Sequence, residues 1–278
     1  MQSIDFNSFD HNFCESSIYS EGQHPEYMNS LSSLFISFIG INALLKSNIN
    51  LLLAFLYSSL IVNGVTSCFY HYYNNIGWGL MDRMSMILIA QSSTNLFINT
   101  LNYIIVLRRL KLLNMKVFFI KMINILSIIY FTILFSIAGL HNEKLFNIMF
   151  AIFLFSIVGF MYIINLNYIR LGLPYEVLLL GWKGIIYITT SGVFWIVTEN
   201  LCHDIFYIKY LFGHVWWHIF VSYGGYLVSL IPWYMYMDRI LLISKYNIVI
   251  TYDIFNIPYL KFTSYQWELR SHGIDELV

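Results

Sequence analysis

What this chain has least of is charge. Only 11% of its 278 residues are Asp, Glu, Lys or Arg, against about 25% in an ordinary soluble domain. The 15 basic and 15 acidic residues cancel to a formal net charge of zero. With no polybasic run either, the electrostatic footprint of a nucleic-acid-binding surface is missing. Cysteine is scarce too: 3 residues cannot build a disulfide framework, although they allow one bridge and one spare thiol. No segment repeats at a fixed period, which excludes a repeat array. The opening MQSIDFNSFD has neither the basic start nor the apolar centre of a cleavable signal peptide. Insertion is therefore expected to depend on the first transmembrane helix. No Asn-x-Ser/Thr sequence occurs, so N-glycosylation cannot report on sidedness.

What is abundant is apolar and aromatic surface, at 58% and 19% of residues. So few polar residues cannot cover a water-exposed molecule, and most of the outside must face lipid. A hydrocarbon core of about 30 Å needs roughly 20 apolar residues in a helix. Seven segments meet or approach that length: 30–46, 49–70, 79–106, 117–139, 144–167, 176–199 and 212–236. The reading is an all-α membrane protein, a seven-transmembrane helix bundle. It divides into an acidic N-terminal segment (1–29), the bundle (30–236) and a C-terminal tail (237–278).

Orientation follows from Lys and Arg near the helix ends. The loops after the first, third and fifth helices and the start of the tail hold Lys46, Arg108, Arg109, Lys111, Lys116, Arg170, Arg239 and Lys245. The N-terminal segment carries instead Asp5, Asp10, Glu15, Glu21 and Glu26. The expected arrangement has the N-terminus lumenal or extracellular and the C-terminus cytosolic. An apolar stretch of the tail, Ile248–Phe262, is expected to lie along the membrane.

Ionisable groups inside a membrane are costly, so each is a functional hypothesis. Ser67 and His71 lie four apart on one face near the end of the second helix. Asp82 opens the third helix, and His214 and His218 lie four apart at the start of the seventh. With the N-terminus outside, all five fall at similar depth under one leaflet. Three neutral imidazoles leave an exchangeable fourth position on zinc, the open type of site that does chemistry. Zinc lowers the pKa of water to about 7 and polarises a carbonyl. Asp82 would move a proton from water to a leaving amine, and Ser67 would donate to an oxyanion. Plainer roles stand beside these: packed histidines, Ser67 bonded to its own helix, and Asp82 paired with Arg83.

The order of these residues resembles the CREST superfamily of membrane hydrolases, and the details resemble its alkaline ceramidase branch. Those details are Phe13-Cys14-Glu15, Pro25 to Ser30, Phe194 to Val197 with Cys202, and His214-Val-Trp-Trp-His218. The resemblance implies hydrolysis of the N-acyl amide bond of ceramide-type sphingolipids, giving a sphingoid base and a free fatty acid. It implies His71, His214 and His218 as zinc ligands, Ser67 and Asp82 as catalytic residues, and a Cys14–Cys202 disulfide. It further implies a calcium site at Asn12, the Phe13 carbonyl, Glu15, Ser17 and Glu26. The family's usual acidic residue and amide are replaced here by Asn12 and Ser17. The substrate would be a membrane lipid, and the setting the endoplasmic reticulum or Golgi membrane. The alternative is a receptor-like relative with a structural zinc site and little hydrolase activity.

Overall fold

Apolar segments of this length have no water to bond with and must satisfy their backbone internally, which a helix does. Helices stand within all seven expected segments of the computed structural model. It describes residues 13–19, 25–46, 51–107, 122, 125–127, 129–137, 143–202, 204–241 and 246–264. A single turn, α1 (Ser16–Tyr19), precedes α2 (Tyr27–Lys46), α3 (Leu51–Tyr73) and α4 (Ile76–Leu107). The shorter apolar helix α5 (Ile125–Ile137) leads to α6 (Glu143–Leu171) and α7 (Tyr175–Leu201). A 3-10 turn, η1 (Ile208–Leu211), then leads to α8 (Gly213–Leu241).

Among the described residues, four helices are long and apolar enough to cross a membrane: α2, α3, Leu145–Ile169 of α6, and α7. The 32-residue α4 and 29-residue α8 are longer than any of these spans. Their hydropathy is diluted by buried polar residues, among them Arg83, Ser85, His214, His218, Ser222 and Ser229. The basic residues after α4, Arg108, Arg109, Lys111 and Lys116, lie outside the described residues, as does Asn12.

Small residues bring the helices together, as is usual where lipid supplies no hydrophobic drive for association. A Cβ on Gly184 of α7 would stand 2.4 Å from the Gly224 carbonyl oxygen of α8. The reverse contact would be 2.6 Å, so these two helices cross backbone to backbone. At Gly64 of α3 an added Cβ would reach 2.5 Å from the Ser37 nitrogen of α2. Between these pairs runs the main core, which includes Leu53, Tyr57, Tyr226, Ile231 and Trp233. A second cluster joins α4, α5 and α6 through Ile87, Ala90, Leu134, Phe146 and Phe153.

The apolar stretch of the tail takes a regular form. It forms a hairpin, β1 (Tyr246–Tyr252) and β2 (Pro258–Ser264), paired antiparallel with Tyr246 opposite Ser264 and Tyr252 opposite Pro258. Its β-branched and aromatic residues suit a pleated, half-buried surface. Asp253 Oδ1 accepts the N–H groups of Phe255 and Ile257 to close the turn. Ile257 and Leu260 enter the main core, and the Tyr226 hydroxyl donates to the Pro258 carbonyl at 2.5 Å. Lys46 forms an ion pair with Asp253, which also accepts from Asn42 at 2.9 Å.

Candidate active site

Two sharp local structures deliver the site residues. Between α3 and α4, Asn74 adopts a left-handed φ of 47°, which asparagine tolerates better than most residues. Asn75 then caps α4, its Oδ1 accepting the Trp78 N–H at 2.9 Å. That tight reversal sets Asp82 beside the end of α3. At the other junction Phe212 is left-handed, with φ 49°, and Gly213 opens α8. A Cβ on Gly213 would fall 1.8 Å from Thr198 Oγ1. Only glycine lets the first turn of α8, which carries His214, lie against the end of α7.

The three histidines meet. One ring nitrogen from each of His71, His214 and His218 lies within 4.8 Å of the others, and all three side chains are buried. Ring centroids stand 4.8 Å apart for His71–His214, 5.2 Å for His71–His218 and 4.6 Å for His214–His218. The outer nitrogens of two of these rings are held by side chains. His71 Nδ1 is 2.7 Å from Glu26 Oε2, with both residues essentially inaccessible. His218 Nδ1 is 2.9 Å from Ser32 Oγ and 3.3 Å from Ser33 Oγ. Aromatic rings close the periphery: Phe13 lies 4.4 Å and Trp195 5.2 Å from His214, centroid to centroid.

Ser67 and Asp82 line the same cavity as His214 and His218. Asn63 donates to Asp82 Oδ1 at 3.0 Å and reaches Ser85 Oγ at 2.9 Å. Ser33 donates to Ser67 Oγ at 3.0 Å, and Ser67 in turn bonds the Asp82 carboxylate. Ser32, Ser33 and Asn63 escaped the sequence reading, although a signal existed. Asn63, Ser67 and His71 form one polar stripe at four-residue spacing, and Ser30, Ser33 and Ser37 form another along α2.

The N-terminal residues make a hook over the site. Cys14 and Cys202 are joined by a disulfide, with Cα atoms 5.9 Å apart. The Cys14 N–H donates to Glu199 Oε2 at 2.9 Å, which gives that carboxylate a part in holding the hook. Glu15 caps α2, its two oxygens accepting from the Met28 and Asn29 N–H groups at 2.6 and 2.7 Å. Burial pushes the Glu15 pKa up, those two N–H groups pull it down, and the Glu26 charge adds to the rise. Glu26 Oε1 accepts from the Phe13 N–H. The Phe13 carbonyl and the Ser17 hydroxyl are engaged within the hook, by Ser16 and by the Cys14 carbonyl. Lys209 already brings a cation to the Ser17 carbonyl, at 3.4 Å. Calcium needs six to eight converging oxygens. The described members of the expected calcium set are engaged here by protein groups, and Asn12 lies outside the described residues. The remaining cysteine, Cys68, packs beside the Ser30 hydroxyl at 3.3 Å.

Residues 7–261 match the family model described as Ceramidase. No curated protein matches the chain.

Proposed function

This chain belongs to the ceramidase family, and from that footing we propose a zinc-dependent hydrolase embedded in a membrane. Its reaction is cleavage of the N-acyl amide bond of ceramide-type sphingolipids to a sphingoid base and a free fatty acid. The observation that carries the zinc assignment is the convergence of three buried imidazoles. The chemistry of the donor set fits: with Nδ1 of His71 and His218 engaged by Glu26 and Ser32, each ring would offer Nε2 inward. A carboxylate or hydroxyl behind a ligating histidine is the usual support of such a ligand. When bound, zinc supplies a Lewis acid that polarises the amide carbonyl and makes water nucleophilic near neutral pH.

The remaining work belongs to the protein's own groups. Asp82, oriented by Asn63 and Ser67, takes the proton of the attacking water at a carboxylate oxygen. It then returns that proton to the departing amine nitrogen. Once Asp82 has taken up that proton, the Ser67 hydroxyl is released from the carboxylate and donates to the oxyanion of the tetrahedral carbon. The hook and its Phe13 ring limit water on one side, and the apolar cavity walls limit it on the other. A Cys14–Cys202 disulfide belongs on an oxidising face. This supports a lumenal or extracellular N-terminus, and with it we propose seven spans and a cytosolic tail, in the endoplasmic reticulum or Golgi membrane.

The test is metal content together with hydrolysis of a fluorescent long-chain ceramide. It uses purified wild type, His214→Ala and Asp82→Asn. Wild type is expected to hold zinc and turn over, and His214→Ala to lose both. Asp82→Asn is expected to keep zinc while losing roughly 10²–10⁴-fold in turnover. Zinc without hydrolysis in the wild type would instead support the receptor-like reading. A metal-free wild type from a chelator-free preparation would refute the zinc assignment.

A further inference from the structure

His214, His218 and Asp82 occupy one end of a longer cavity of about 200 Å³. Among the helices that line it, α3, α4 and α8 carry stripes at helical spacing that begin at a site residue. On α3 the stripe leaves Ser67 through Asn63 and Leu60 to Tyr57. On α4 it leaves Asp82 through Met86 and Ile89 to Ser93. On α8 it leaves His218 through Ser222 and Gly225 to Ser229. At 1.5 Å per residue each stripe is ~15–17 Å long. The α3 stripe runs backwards along the chain and the other two run forwards. Antiparallel neighbours must do this to line one channel. Three independent lengths therefore agree on a single depth.

The far end is anchored. Tyr57 and Tyr226 are fully buried, and the Tyr57 hydroxyl is 2.9 Å from Ser229 Oγ. The Tyr226 hydroxyl is bonded to the Pro258 carbonyl of the hairpin. Partway along α8 lie two glycines of opposite character. Gly224 is pressed against α7, whereas a Cβ on Gly225 would meet no heavy atom within 4 Å. Interiors are close-packed, so open space at a cavity-lining position is room left for a ligand.

We propose that this cavity takes one hydrocarbon tail of the substrate lengthwise, with the Tyr57–Tyr226 pair as its floor and Gly225 setting how far the tail reaches. The assignment rests on the amidase reading above. An extended chain advances ~1.2 Å per bond, so the full depth takes a straight tail of about 13 bonds. Gly225, ~10 Å past His218 along α8, stands about 8 bonds in. A larger side chain there would stop the tail short.

The test compares full-length wild type with Gly225→Ala, Gly225→Leu and Gly225→Phe on two ceramide series. One varies the N-acyl chain from about six to about eighteen carbons at fixed base, and the other varies the base at fixed short acyl chain. In the series whose tail enters the cavity, kcat/KM for tails beyond about nine carbons should fall at least tenfold relative to the shortest. The cut-off should move shorter from Ala to Leu to Phe. The alanine variant, whose added methyl meets open space, should unfold thermally as the wild type does, and this keeps the series readable if phenylalanine disturbs folding. Equal losses at every length in both series would overturn the ruler and leave the amidase reading intact. A wild type that hydrolyses no member of either series would remove the amidase reading itself.

Discussion

At the scale of single residues, the site depends on groups that hold other groups. Glu26 is the clearest: it stands behind His71, accepts from the Phe13 N–H, and is wholly buried. The family resemblance implies it as a calcium position, and an acidic residue before an apolar helix carries no sign of a histidine partner. The five site residues themselves were legible, since ionisable groups in apolar segments stand out. Their supports, Ser32, Ser33 and Asn63, were not singled out, because neutral polar side chains in a span have bland uses too. Removing a carboxylate behind a ligating histidine typically costs 10–100-fold in metal affinity. Glu26→Gln keeps the shape and loses the charge. Competition with a chromophoric chelator should show zinc held ~10-fold or more weakly than in the wild type, with helix content unchanged. Wild-type affinity in the variant would reduce Glu26 to a fastener of the hook.

At the scale of elements, hydropathy located the described helices other than α5 closely, because twenty apolar residues have few other options; the expected start of α5 lies outside the described residues. It could not place the hairpin. Ile248–Phe262 was read as one apolar patch, whereas the operative feature was a short turn between two β-branched runs. The turn centres on Asp253. Burial raises its pKa, but Lys46, the Ile257 and Phe255 N–H groups and Asn42 outweigh that and hold it at about 2. A carboxylate whose folded pKa lies below its unfolded value of 3.8 stabilises the fold above that value. The contribution disappears as pH falls through the window from about 4 to about 2. Amide exchange over 246–264 should therefore be faster in Asp253→Asn than in the wild type at pH ~5, with the difference shrinking towards pH ~2. Equal exchange at both values would mean that Ile257, Leu260 and the Tyr226–Pro258 bond hold the hairpin without the ion pair.

At the scale of the whole molecule, the disulfide joins the chain's beginning to the loop before its last helix, 188 residues later. In the chain-entropy limit a loop that long would stabilise by about 5 kcal/mol. That figure assumes an unfolded chain free to wander, which helices inserted in a membrane do not become. The larger consequence is therefore local. Cys14, Glu199 and Glu15 fasten the hook to α7 and α2, and the hook in turn carries Phe13 onto the rings of His71 and His214. Cutting the bridge should loosen the hook and expose one side of the histidine cluster while the bundle, held by α2, α3, α7 and α8, persists. Cys202→Ser should show faster proteolysis between residues 13 and 26, circular dichroism like the wild type, and zinc exchange at least several-fold faster. Loss of helical signal would mean that the bridge holds the bundle itself, and unchanged proteolysis and exchange would mean that the carboxylate caps suffice without it.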